Sequence, residues 1–426
     1  MKKAICLLLT AVLLLSVVTG CGGRKDPPEP VTITIWHTYW EHLKENIDEL
    51  IEEFNRTVGA REGITVVTGF VADAPILYEN LLMAADGGIG APNLPDIAVI
   101  YPSIGISLAN RGLLLNLQEQ FSSDELSKYI PEFLEEGMMG TDGLYILPVA
   151  KSTEMLVVNT VIFDRFAADT GANFQDLSTF EGLVRAAERY YQWSGGKAFF
   201  FIDNYFNSAF IGYRQLGDNF IVNRELNLTS GTYERIRGVS HHPMVNGYTP
   251  IFDGFSTNIM QTGDIVCALA SSASVTFFSD TVTYHDNTRE AAEYAFLPYP
   301  VFEGGQNIAL QRGGGMCVFK SNTRREYAAG VFLKWFTAPE QNIRFAVRTG
   351  YMPVTAEAFG DLMKREIENL ESERMRNSFQ TIMAMRESYT FDVPPAFDGL
   401  DSIQRAFRQN VRKNAEDACI ENAGTD

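Results

Sequence analysis

The chain has 426 residues, 46% hydrophobic and 21% charged, enough apolar material for more than one packed core. That composition excludes a disordered chain, a collagen and a coiled-coil rod. The 35 basic against 53 acidic residues give a net charge of −18, which disfavours nucleic acid and anionic lipid surfaces, and the 29 Phe and 17 Tyr ask for an explanation.

The N-terminus carries Lys2 and Lys3, an apolar run from Ala4 to Val18, then Thr19, Gly20 and Cys21. A basic start, a short apolar stretch and small residues make a secretory signal, residues 1–20; about 20 apolar residues are needed to span a bilayer, and this run is shorter. Val18 to Cys21 resembles a bacterial lipobox, which implies lipid on Cys21 and a place on the extracytoplasmic face of the cell membrane. Residues 21–30 are polar and Pro-rich and read as a tether. Loss of Lys2 and Lys3 leaves 33 basic against 53 acidic residues, a net −20. With Cys6 in the signal and Cys21 lipidated, Cys267, Cys317 and Cys419 remain, too few and too scattered for a disulfide framework. Cys267 and Cys317 sit in apolar runs and read as small buried hydrophobes.

Val31 to Trp36 alternates with period two and predicts a strand. Leu43, Ile47, Leu50, Ile51 and Phe54 recur at helical spacing over 41–56. A strand over 64–70, a helix near 76–85 and a turn-rich loop over 86–92 follow. Asp96 to Tyr101 is a mostly apolar strand, the pattern of a sheet covered on both faces. Further strands are predicted over 145–149, 155–158, 199–202, 265–270, 294–298 and 313–319, and helices over 180–193, 206–216 and 324–336, with Pro339 as a stop. The tail, 356–418, reads as helical with a break at Val393, Pro394 and Pro395. Alternating strands and helices argue for α/β layers with parallel strands.

Catalytic patterns are sparse. No H-E-x-x-H, paired C-x-x-C or G-x-S-x-G occurs among the five His and five Cys, so zinc hydrolysis and a nucleophile elbow lack support. His241 and His242 precede Pro243 in an expected loop, and Gly195, Gly196 and Lys197 lack the Ser/Thr of a phosphate loop. No metal site and no cofactor are expected. A carboxylate pair of the glycosidase kind has no local signature.

Polar and aromatic residues do recur where strands end: Trp36, His37, Thr38, Tyr39 and Trp40; Tyr101 and Ser103; Lys151, Ser152, Thr153 and Glu154; Asp203, Asn204 and Tyr205; Ser271, Ser272 and Ser274. Ligands of open α/β sheets bind beyond the carboxyl ends of strands, so these clusters are expected to meet in one cleft. Rings there offer faces to sugars, and short polar side chains bond hydroxyls. The expected faces are Trp36, Tyr39, Tyr101 and Tyr205; the expected hydrogen-bonding groups are Ser152, Asn204 and Ser271. Arg312 or Lys151 could pair with a ligand charge.

Three stretches carry a family resemblance: Leu94 to Ile97 with Leu108 to Leu114; Leu147 to Val149 with Ser152, Thr153 and Val158 to Phe163; and Gly313 to Ser321, with Ala328, Ala329, Phe332 to Glu340 and Thr349 to Val354. The chain resembles the bacterial extracellular solute-binding proteins of family 1, carbohydrate receptors of ABC importers. The resemblance implies a class II, two-lobed periplasmic-binding-protein-like α/β fold with a ligand cleft between hinge-connected lobes. It implies lobe 1 over 31–148 and 290–319, and lobe 2 over 149–289 and 320–426. It further implies a monomer serving ABC permease transmembrane subunits, with no enzymatic activity. Tyr78, Ser152, Gly314 of the Gly313–Gly315 turn and Tyr351 match family positions that touch ligand. Pro102 stands where the glycerophosphate branch has an acidic residue, and Asn204 and Tyr205 where it has a nearby tryptophan. Alternatives are a glycerol-phosphate receptor of the same family, a secreted glycan hydrolase and a sensory lipoprotein.

Overall fold

The computed structural model describes residues 29–423, so the signal, Cys21 and most of the tether lie outside the described residues. Two sheets organise the chain, built from β1 (Val31–His37), β2 (Ile64–Phe70), β3 (Ile97–Ile100), β4 (Leu147–Pro148), β5 (Glu154–Asn159), β6 (Phe200–Ile202), β7 (Cys267–Ser271), β8 (Tyr294–Leu297) and β9 (Gly315–Val318). The first sheet runs β2-β1-β3-β9-β4 and the second β8-β5-β7-β6. β1 is parallel to β2 and β3, while β9 is antiparallel to β3 and β4. The α/β class expected from alternating patterns is what the chain adopts.

The apolar β3 is buried along its whole length because its alternate residues feed two cores. Ile97 and Val99 join Ile33, Ile35, Ile47 and Phe54 on one face; Ala98 and Ile100 join Leu77, Leu81 and Leu108 on the other. The helix His42–Arg56 turns its predicted stripe, Leu43 to Phe54, inward.

The chain crosses between lobes three times, and the crossings are stitched side by side. Lys151 bridges Met352 and Ser152 bridges Arg312 in antiparallel fashion. The crossings divide the chain differently from the expected boundaries. Strand β8, within 290–319, pairs with β5 in the second sheet. The helices Thr323–Phe336 and Pro339–Thr349, expected in lobe 2, pack on β1 and on His42–Arg56 in lobe 1. Helices Glu373–Ser388 and Leu400–Ala423 do belong to lobe 2, against β8 and the helix Tyr205–Gln215. Amphipathic helices look alike whichever core covers them, so the sequence carries little sign of this partition.

Gly195 (φ 74°) and Gly196 (φ 103°) close the helix Phe180–Ser194, a left-handed cap with no phosphate-loop geometry. His241 and His242 begin a short helix, His241–Val245, and are not in a loop; Pro243 is tolerated because first-turn N–H groups have no helical partner anyway.

Candidate ligand-binding cleft

Between the strand ends of the two sheets lies a cavity of about 570 Å³, within the usual range of ~300–1,000 Å³ for small-molecule sites. Thr38, Tyr39, Trp40 and Glu41 enter it just beyond β1, and Tyr101 just beyond β3. The opposite wall is Phe255, Thr257, Asn258, Ser271, Ser274 and Phe277 of the second lobe. The crossings form the floor with Ser152, Arg312, Gly313, Gly314 and Tyr351. A larger hollow, about 1150 Å³, lies on the second lobe near Trp193 and Tyr284, and none of the sequence-derived site residues lines it.

Six of those residues meet in the cleft: Tyr39, Tyr101, Ser152, Ser271, Gly314 and Tyr351. Tyr101 is 41% exposed, its ring free to meet a ligand. Tyr351 lies flat against Phe345, with centroids 6.2 Å apart and planes 10° apart, and meets the edge of Tyr39 at 6.4 Å. Such packing fixes the rings before any ligand arrives. A Cβ on Gly314 would stand 2.9 Å from the Ile100 carbonyl oxygen, so close approach of two strands requires glycine there.

The other five lie elsewhere. β1 runs through His37, so Trp36 and His37 still alternate as strand residues. Trp36 turns to the far face and lies over Gly69, where a Cβ would meet its Cδ1 at 2.8 Å. His37 is fully buried; its Nδ1 accepts the Tyr39 N–H at 3.2 Å, and burial lowers its pKa to about 4. Tyr78 packs against the same far-face cluster as Trp36. Asn204 caps the helix Tyr205–Gln215, accepting the Asn207 N–H at 3.2 Å. Tyr205 is buried in the core of lobe 2.

Sequence reasoning did not assign Phe255, Asn258 or Phe277 to the site. Trp40 and Phe277 face each other across the rim, stacked with centroids 6.3 Å apart. Trp40 had a signal in its strand-end run; Phe255 and Asn258 had none, being delivered by a loop and the short helix Ser256–Gln261.

The charged groups divide sharply. Lys151 is 3% exposed and its Nζ lies 2.7 Å from Glu136, itself 4% exposed, and 3.1 Å from the Gly313 carbonyl oxygen. Gln311 also donates to Glu136. Lys151 is therefore a hinge-region tie and not the ligand's charge partner. Arg312 lines the cleft, and its Nη1 lies 2.9 Å from Oε1 of Glu154, which also accepts Asn207 Nδ2 at 3.0 Å. Burial pushes the Glu154 carboxyl above its ordinary pKa and raises Asp203 to about 6. Asp203 accepts the Ser256 N–H at 2.8 Å. Among the described residues, no cluster of three or more His, Cys, Asp or Glu side chains is placed to hold a metal ion. No helix among them is long and apolar enough to cross a membrane.

Two lobes, three crossings and an inter-lobe cleft define the architecture of periplasmic binding proteins of the maltose-binding type. The profile of the bacterial extracellular solute-binding proteins matches residues 49–368, and the chain belongs to that family. The cyclic α-maltosyl-1,6-maltose binding protein of Arthrobacter globiformis superposes with a TM-score of 0.72 at 18% identity, covering 92% of this chain and 97% of that one. UgpB of Mycobacterium tuberculosis, in complex with glycerophosphocholine, gives 0.71 at 15% identity, over 92% and 99%. A Listeria monocytogenes ABC substrate-binding protein in complex with cycloalternan gives 0.70 at 15%, over 93% and 100%. At these identities the likeness is one of fold. No curated protein sequence matches the chain.

Proposed function

We propose that the chain is a lipid-anchored receptor, tethered through Cys21 to the extracytoplasmic face of the membrane, that captures a mono- or oligosaccharide and delivers it to an ABC permease. One observation carries the ligand class: the cleft pairs aromatic rings (Tyr39, Trp40, Tyr101, Phe255, Phe277, Tyr351) with short polar groups (Ser152, Asn258, Ser271, Ser274). Sugars offer apolar ring faces and hydroxyl edges to that combination. Two of the three superposed proteins above are also described with oligosaccharide ligands.

The mechanism needs no covalent step and no cofactor. A ligand touching both lobes binds the closed form more tightly than the open one, and that difference shifts the population. Moving it from 1:99 to 99:1 takes about 10⁴-fold tighter binding to the closed form. The stitched crossings are the natural pivot, because the two sheets remain intact on either side of them.

A thermal-shift screen of the purified chain against sugars, oligosaccharides and phosphate esters tests the reading. At 100 times its dissociation constant a ligand stabilises the folded state by ~2.7 kcal/mol. A shift with a neutral saccharide supports the carbohydrate reading; shifts confined to phosphate esters, or none at all, reject it. Globomycin-sensitive processing and loss of membrane retention in Cys21→Ala would test the anchor, and retention of that variant would reject it.

A further inference from the structure

The cleft holds an unusual cation. Among the described residues its lining has two charged side chains, Glu41 and Arg312. Arg312 would be the obvious partner for an anionic ligand, yet it is already engaged, its Nη1 lying 2.9 Å from Glu154. Glu154 is 1% exposed and is held a second time by Asn207. The Arg312 backbone is pinned as well: its N–H donates to the Ser152 carbonyl oxygen at 2.9 Å and its carbonyl oxygen accepts the Ser152 N–H at 2.9 Å. The guanidinium therefore meets the cleft as one half of an ion pair rooted at the crossing.

We propose that the Glu154–Arg312 pair makes the cleft selective for uncharged, hydroxyl-rich ligands and excludes phosphate esters. The paired guanidinium keeps N–H donors on its cleft side, where its side chain is 30% exposed, and these serve a hydroxyl or ring oxygen. Its charge, however, is cancelled at contact distance by Glu154. A phosphate entering the cleft finds Arg312 offset by the carboxylate buried behind it and Glu41 in the lining, with no unpaired cation there to balance it. Refusal of this kind is how a binding site separates ligands that make otherwise similar contacts. The same fold accommodates glycerophosphocholine in UgpB, so the architecture itself does not refuse phosphate. The proposal rests on the carbohydrate reading for what the cleft accepts, and on the charge arrangement alone for what it refuses.

Glu154→Gln keeps the shape and the bond to Asn207 but leaves Arg312 with an uncancelled charge. Calorimetry of the full chain with glycerol phosphate and with maltose reads the effect. The wild type is expected to show no glycerol phosphate binding, and E154Q to gain it by about tenfold or more, falling with added salt. The double variant E154Q/R312Q, again neutral, is expected to refuse it. Salt-dependent binding of glycerol phosphate by the wild type, abolished in R312Q, overturns the proposal; so does a folded E154Q that gains nothing. Should E154Q not fold, the wild type and R312Q decide the matter by the same criterion, refusal by both supporting it. If no protein in the series binds any saccharide, the carbohydrate reading fails, while the glycerol phosphate results still judge the pair.

Discussion

His42 Nε2 lies 2.7 Å from Thr276 Oγ1, a hydrogen bond from the first helix of lobe 1 to the turn following β7 in lobe 2. The His42 ring also meets Phe277 at 4.8 Å, and Phe277 stacks on Trp40. On another side of the molecule, helix Leu400–Ala423 of lobe 2 touches helix Pro102–Asn110 of lobe 1. Such contacts join surfaces that separate whenever the lobes part, so their free energy belongs to the closed form alone.

The first prediction follows from that. Thr276→Val removes that hydrogen bond, worth about 1 kcal/mol or about a fivefold rise in saccharide Kd, and His42→Ala removes it together with the Phe277 contact, for a larger rise. Their shared hydrogen bond is lost only once, so the double variant should match His42→Ala alone. Titration calorimetry checks this; additive losses would show that the two residues act separately.

A second prediction separates ligand contact from packing. Tyr101→Ala removes an exposed ring and should weaken saccharide binding by about tenfold with an unchanged Tm. Trp36→Ala empties the space over Gly69 and should cost about 2–3 kcal/mol of stability while affinity holds. The opposite pattern would return Trp36 to the site.

The strand and helix pattern was legible because it is local. The β1 alternation and the helical stripe Leu43 to Phe54 each follow from a few neighbouring side chains. Tyr39, Tyr101, Ser152 and Ser271 were legible for a topological reason, lying at or beyond strand ends. His37 was misplaced because β1 continues one residue further than the sequence pattern predicts, and Trp36, already inside the predicted strand, turns to the sheet face away from the cleft. With period two, that residue decides which side chains still serve the sheet. Lys151 was misread because its partners, the Glu136 carboxylate and the Gly313 carbonyl oxygen, come from other segments. Phe255 and Asn258 reach the cleft through long-range packing that no short motif encodes.

Lys151 gives the third prediction. Its pair with Glu136 is buried at the crossings, and deleting one partner strands a charge away from water. Lys151→Met should therefore cost about 3–5 kcal/mol, seen as a lowered denaturation midpoint. The double variant Lys151→Met/Glu136→Met should recover most of that loss, since two apolar groups leave no buried charge. A fully stable single variant would mean that water reaches Glu136.

The fourth prediction concerns pH, where two buried groups act with opposite sign. His37 has its pKa lowered by burial from 6.5 to about 4. As pH falls below 6.5 the unfolded chain takes up a proton that the folded chain refuses until about 4, so its contribution, present above 6.5, is lost across that window. Asp203 has its pKa raised by burial from 3.8 to about 6. Its folded form takes a proton first, so stability is gained as pH falls from 6 to 3.8 and is lost on the way back up. Each shift amounts to about 3 kcal/mol. Differences from the wild type isolate each residue from the other titrating groups. His37→Asn should gain on the wild type as pH falls from 6.5 to 4. Asp203→Asn, whose side-chain oxygen can still accept the Ser256 N–H, should be more stable than the wild type at pH 7.5 by about 3 kcal/mol, an advantage that vanishes by pH 3.8. Urea midpoints of the three proteins across this range check both signs; parallel curves would show that neither group is desolvated.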